Sequence, residues 1–310
     1  MTRTAPRPLR GQVILITGAA SGIGAATAWE LHRRGALPVL VDCDADALRA
    51  TTARCGADVL SVVADVTQPA ACDAAVAAAI ERHGHLDVVW ANAGIAAFGP
   101  IGHTDPAAWH RCIDVNVHGS FNTVRAALPE IMRRRGFVVA TASVASFAHA
   151  PAMSAYAASK AAVEAMCNAW RIELAASGVG VDVIHPSWVS TPLVSEGALH
   201  PAFARLRATM PGPLNREIAP DVAARAIADG IARRDSRLWI PGWVRLLHWL
   251  RAALHSPLAE RELLRAAPEI ERLYLEGLAA EGALASSLGP RELERERERE
   301  AARRRLHLQT

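Results

Sequence analysis

Residues 11–241 predict an α/β fold built on a doubly wound parallel sheet, preceded by a short arm (1–10) and followed by a helical extension (242–310). Three observations carry that prediction. Short β-rich runs alternate with longer helical segments. The runs are apolar on both faces, as strands covered by helices on both sides must be. The first run ends in a glycine-rich turn that opens a helix.

The first strand is QVILITG (12–18), followed by a helix over 23–36 and the strand LPVLVD (37–42). A helix over 44–54, the strand DVLSVVAD (58–65), a helix over 69–83 and the strand LDVVWANAG (86–94) come next. One long helix over 106–134 leads to GFVVATAS (136–143), and a helix over 154–177 leads to GVDVIHPS (180–187). Residues 191–215 hold four prolines and two glycines, which predicts a mobile segment over the site. A helix over 219–233 and the strand RLWIP (237–241) complete the sheet. Beyond it, apolar residues at 243, 246, 247, 250 and 254 make a stripe expected to pack on the domain or a second subunit. The same stripe suits a flap over the substrate mouth or a membrane-surface helix. The alternating charges of RELERERERE (291–300) are expected as a solvated helix face or a frayed tail.

Composition excludes several classes. With 51% hydrophobic and 21% charged residues, a chain of 310 residues can bury a large core as a soluble globular protein. A net charge of +3 without a basic stripe argues against a nucleic-acid partner. The five cysteines (43, 55, 72, 112, 167) form no CxxC pair and are expected reduced, in a cytoplasmic protein. His83 and His85 have no companion ligands, so no metal is expected. The arm MTRTAPRPLRGQ lacks the apolar core of a signal peptide. No apolar run reaches the roughly 18–20 residues of a membrane span.

The turn TGAASGIG (17–24) places Gly18, Ser21, Gly22, Ile23 and Gly24 where a strand becomes a helix. Glycines let backbone approach a pyrophosphate, and the helix N-terminus offers free N–H groups and a favourable dipole. Asp42 ends the second strand, where a carboxylate accepts hydrogen bonds from the adenosine ribose hydroxyls. It also repels a 2′-phosphate, and neither Ser21 nor Cys43 supplies a cation, so NAD is expected over NADP. Asp65 ends the third strand and is a candidate for the adenine edge or a plain strand-end cap.

The chemistry is expected near SAYAASK (154–160). Lys160 is the only lysine in the chain and Tyr156 one of two tyrosines. Four residues apart on a helix, they share one face. A free phenol is too weak a base at neutral pH, and a nearby cation lowers its pKa toward the working range. Ser143, 13 residues earlier, is placed to hold a substrate oxygen, with Ser146 as its competitor. Asn116 lies inside a helix, where asparagine is unfavourable.

These residues resemble the short-chain dehydrogenase/reductase family of the TGxxxGxG and YxxxK type, over roughly residues 11–241. The likeness includes TGAASGIG, Asp42, Asp65-Val66, Asn92-Ala93-Gly94, Asn116, Ser143, YAASK and HPSWVST (185–191). It implies a Rossmann-type sheet and a Ser143–Tyr156–Lys160 triad with Asn116 as fourth member. Tyr156 would exchange the proton, Ser143 orient the oxygen, Lys160 bind the nicotinamide ribose, and Asn116 hold a water. Pro186, Val189 and Thr191 match the segment beside the nicotinamide. Three departures stand out: Ala91 replaces the first asparagine of NNAG, Ser187 replaces a glycine, and the ending common in tetrameric members is missing. A homodimer or other homo-oligomer is expected.

The expected activity is hydride transfer between NAD and a secondary alcohol or ketone. Val144, Ala145, His149, Met153, Trp188 and residues 191–215 would line an apolar substrate pocket. A non-catalytic sensor or scaffold would suit a degraded triad, and this one is intact. An NAD-retaining epimerase or dehydratase would show TGxxGxxG and a larger C-terminal domain, and neither is present.

Overall fold

The computed structural model describes residues 7–56 and 58–307, without the side chains of 213, 300 and 302–307. Seven parallel strands form one sheet in the order β3-β2-β1-β4-β5-β6-β7. They are β1 (Val13–Thr17), β2 (Leu37–Asp42), β3 (Leu60–Val63), β4 (Val88–Ala91), β5 (Phe137–Thr141), β6 (Gly180–Pro186) and β7 (Leu238–Ile240). The chain order reverses between β1 and β4, paired through Leu15 and Val89. The carboxyl ends of these two strands border the crevice where doubly wound sheets bind ligands.

Strand alternation divides the core. Ile14, Ile16, Trp90 and Val139 face one layer with Leu31 of α1 (Gly22–Arg33) and Ile227 of α9 (Pro220–Arg233). Val13, Leu15, Val89 and Val138 face the other, packed by α3 (Pro69–His83), α5 (Gly119–Arg134) and α6 (Ser154–Glu173). Each such aliphatic side chain contributes about 1.5–3 kcal/mol on full burial. The edge strand β3 is shorter than expected, and its residues alternate because Leu60 and Val62 pack on the core while Ser61 and Val63 turn to solvent.

The helix over 106–134 is continuous, as expected, but holds a π-helical turn over Asp114–His118 between α4 (Pro106–Ile113) and α5, and two other expectations need correction. Asn116 lies in that widened turn, where its side chain bonds Ile95 and Ser159. The segment 191–215 is folded, as α7 (Pro192–Gly197), α8 (Pro201–Ala208) and a 3₁₀ turn (Gly212–Asn215). Pro192 and Pro201 open these helices at positions where a missing N–H costs nothing. The charge run 291–300 is not a free tail. It lies in α14 (Pro290–His307), and Glu292, Arg295 and Arg299 pair with the sheet domain.

The apolar stripe after β7 divides between α10 (Val244–Trp249) and α11 (Arg251–Leu254). Trp243, Leu247 and Leu254 turn inward to line a cavity, whereas Leu246 and Leu250 are exposed. Helix α12 (Pro257–Glu281) packs on α8, burying Ile270 and Tyr274 against Phe98, Phe203 and Leu206. The second tyrosine is therefore a packing residue, its hydroxyl 2.8 Å from Ser287 Oγ. The short α2 (Ala45–Cys55) and α13 (Ala283–Ser287) complete the helices. Among the described residues, no helix is long and apolar enough to cross a membrane.

Candidate active site

One cavity of about 930 Å³ runs along the carboxyl ends of the strands. Gly18, Ser21, Gly22, Ile23 and Gly24 of the glycine turn, Asp42, Asp65, the Asn92-Ala93-Gly94 loop, Ser143, Tyr156 and Lys160 all line it, whereas Asn116 is fully buried behind it.

At one end stands the glycine turn. Gly18 and Gly22 have positive φ, 67° and 56°. A Cβ on Gly18 would lie 2.8 Å from Ala93 Cα, and one on Gly22 would lie 3.2 Å from Thr191 Cγ2. Asp42 pins the turn, accepting from Ala20 N and Asp44 N at 3.0 Å each. Asp44 caps α2 by accepting from Ala47 N at 3.0 Å. Ser21 makes no capping bond to α1, which leaves the N–H groups of that first turn without a side-chain acceptor. Glycine cradle, uncapped helix start and strand-end carboxylate together fit a dinucleotide.

Asn92 braces the same turn. Its Nδ2 donates to Thr17 O (3.0 Å) and Gly18 O (3.3 Å), and its Oδ1 accepts from Thr141 Oγ1 at 3.0 Å. Thr141 Oγ1 also accepts from Trp90 Nε1 at 2.9 Å. Thr17 and Thr141 were not legible as site residues, because a strand threonine carries no signal without its partners. Asp65 accepts from Thr67 N (2.9 Å) and Oγ1 (2.8 Å), as a strand-end cap would. Its other oxygen takes Arg111 at 3.2 Å. Burial alone would raise its carboxyl; the Thr67 and Arg111 contacts outweigh that and lower it.

At the other end, Tyr156 and Lys160 rise from the first turns of α6. Lys160 Nζ donates to Thr141 O at 2.8 Å and sits 5.7 Å from the Tyr156 ring centre. Burial pushes the Lys160 ammonium down to about 8. It pushes the Tyr156 phenol up to about 12, against a hydrogen bond with Ser143. The expected depression of the phenol by Lys160 is thus absent, since desolvation dominates in this buried wall. A Cβ on Gly94 would lie 3.1 Å from Lys160 Nζ and 3.2 Å from Asn116 Oδ1, so that glycine keeps open the space between the two groups.

Asn116 Oδ1 accepts from Ile95 N (2.8 Å) and its Nδ2 donates to Ile95 O (2.9 Å) and Ser159 Oγ (2.8 Å). It fixes the loop after β4 to α6. Ser143, whose Oγ accepts from Ala145 N at 3.1 Å, lines the cavity beside Tyr156. Ser146 points away, 2.7 Å from both Ser143 O and Glu164 Oε2. Ser187 replaces the usual glycine without strain: it is not left-handed, and its N–H donates to Ile240 O at 2.7 Å.

Glu164 anchors a cluster that sequence reading missed. His248 Nε2 lies 3.0 Å from Oε1, and His185 Nε2 lies 3.2 Å from Oε2 but out of line for a hydrogen bond. Burial would raise this carboxyl; contacts with His185, Ser146 and His248 hold it at about 2. Its folded pKa lies below the ordinary 4.5, so the stabilisation is complete above pH 4.5 and is lost as pH falls toward 2. Glu164→Gln is expected to lower Tm at pH 7, with the gap to wild type closing in acid; a pH-independent gap counts against this account.

Trp188, Phe203 and Met153, with Val144, Ala145 and His149, surround the space in front of Tyr156. Comparisons with known proteins agree with this arrangement. Residues 12–200 match the short chain dehydrogenase family. The 11-beta-hydroxysteroid dehydrogenase-like 4A protein of Arabidopsis thaliana is 34% identical over 254 residues, covering 79% of this chain and 81% of the relative. A 3-ketoacyl-(acyl-carrier-protein) reductase from Brucella melitensis, complexed with NADH, is 30% identical with a TM-score of 0.68, over 75% of this chain and 97% of that one. A Burkholderia phymatum short chain dehydrogenase/reductase in complex with NAD gives 28% identity and a TM-score of 0.70, over 81% and 97%. Glycine turn, buried Tyr156–Lys160 pair, parallel sheet and these likenesses lead to one conclusion: the chain belongs to the short-chain dehydrogenase family and is an oxidoreductase of it.

Proposed function

We propose that the protein interconverts a hydrophobic secondary alcohol and its ketone with NAD(H). The observation that carries this reading is the meeting of Ser143, Tyr156 and Lys160 in the wall of a cavity that also contains the glycine turn and Asp42. When bound, the nicotinamide supplies the hydride acceptor or donor.

The chain's own residues do the rest. Tyr156, protonated at neutral pH, donates its proton to the substrate oxygen in reduction and must first lose it to act as base in oxidation. Ser143 hydrogen-bonds the same oxygen and orients it. Lys160, its ammonium anchored on Thr141 O, holds a ribose hydroxyl. Asn116 holds the loop after β4 in place and leaves its Oδ1 next to the gap beside Lys160. Trp188, Met153 and Phe203 exclude water and offer an apolar chamber for a bulky substrate. Asp42 favours NAD through its carboxylate at the ribose position.

The test is dye-coupled NAD(H) turnover by purified protein against a panel of secondary alcohols and ketones, from small linear to polycyclic. Turnover that increases with substrate hydrophobicity supports the reading. Tight NADH binding without turnover on any member transfers weight to a dinucleotide-binding sensor.

A further inference from the structure

We propose that helix α14 walls the adenosine half of the cleft and that its Arg295 sets discrimination at the ribose 2′ position, admitting a 2′-phosphate beside Asp42. The inference rests on the dinucleotide reading above.

Along the chain, the groups after β2 are Asp42, the uncharged Cys43 and Asp44, a collar that rejects a further negative charge. In space the collar contains a guanidinium. Arg295 Nη2 donates to Asp44 Oδ2 at 3.0 Å and lines the same cavity as Asp42 and Cys43. Its side chain is 27% exposed, so its field is only partly screened. The facing groups are predominantly acidic: Asp44, Asp42 and, at 3.5 Å on its own helix, Glu292. Arg291 also faces Asp44 but is engaged by Glu196 at 2.7 Å.

The position of Arg295 is held by the next turns of the helix. The Glu292 carboxylate takes Arg111 at 3.2 Å and Arg299 at 2.9 Å, and Arg111 bonds Asp65 at 3.2 Å. These pairs tie α14 to the segment after β3 and to α4. A guanidinium has five N–H donors in a fixed fork, so it can keep Asp44 on one edge and offer another to a phosphate. A ribose 2′-hydroxyl has no such need, because it can donate a hydrogen bond to Asp42. Arg295 therefore matters little for NADH and strongly for NADPH.

The experiment measures dissociation constants of NADH and NADPH by isothermal titration for wild type, Arg295→Gln and Asp44→Asn. Arg295→Gln is expected to weaken NADPH about tenfold or more, the effect of one charge-assisted bond, while NADH stays within about threefold. Asp44→Asn removes a repelling charge and frees Arg295, and is expected to tighten NADPH relative to NADH. An unchanged NADPH/NADH ratio in Arg295→Gln, or no measurable NADPH binding by wild type, overturns the inference while NADH binding keeps the cleft assignment. Failure of wild type to bind either nucleotide overturns the assignment itself. If Arg295→Gln does not fold, Asp44→Asn decides, and an unchanged ratio there is equally fatal.

Discussion

Tyr156→Phe is expected to lower turnover by about 10²- to 10⁴-fold, the range for loss of a positioned general acid–base, with NADH binding essentially unchanged. The substitution removes only the hydroxyl. The ring stays packed between the two apolar clusters it touches, around Phe98 and Met153 on one side and Ala155 on the other. Lys160 keeps its bond to Thr141 O, and the glycine turn is held by Asp42 and Asn92 rather than by Tyr156. The wild-type pH profile carries a second signature of the same group. With the phenol pushed up to about 12, reduction uses the form already present at neutral pH, whereas oxidation needs the phenolate and should accelerate as pH rises. Turnover of the Phe variant near the wild-type rate would remove Tyr156 from the chemistry and leave the Ser143 wall without its proton source.

Gly24→Ala is expected to abolish NADH binding and to destabilise the fold by at least about 3 kcal/mol, at or beyond the upper end of overpacking costs. A Cβ there would collide with the Gly18 carbonyl oxygen and lie 2.8 Å from Asn92 Nδ2. The first obstacle is backbone and cannot rotate away. Relief would require the turn to open, and the turn is bonded to Asp42 through Ala20 and to Asn92 through Gly18. By contrast, Ala at Gly84, where no atom lies within 4 Å, should show only the smaller strain of its positive φ. Thermal unfolding and NADH titration of the two variants separate crowding from backbone strain. Near-wild-type binding by Gly24→Ala would show that the cradle is more pliable than its contacts imply.

The sheet was legible because its signal is local: each strand is a short apolar run, and each glycine, tyrosine or lysine of the motifs lies a few residues from its neighbours. What was missed depends on contacts between distant residues. Prolines in 191–215 suggest a broken segment, yet Pro192 and Pro201 begin helices, and the helix after Pro201 is fixed by packing on α12. Asn116 stands out as an anomaly in the sequence, but its partners Ile95 and Ser159 lie 21 and 43 positions away. Glu164 looked like one more charge on a helix until His185 and His248 met it. The charge run of α14 gave no hint of its partners, because Arg111 and Asp44 stand 181 and 251 positions away from theirs.

Those separations bear on how the nucleotide site comes into being during synthesis. Asp44, Asp65 and Arg111 leave the ribosome, and the strands beside them can pair, long before Glu292 and Arg295 are made. Until then the nascent cleft has an Asp44 without its arginine and an Arg111 without its glutamate. The same pocket therefore exists in two successive electrostatic forms, and the later one arises when α14 docks. A nucleotide present during synthesis meets the acidic form first.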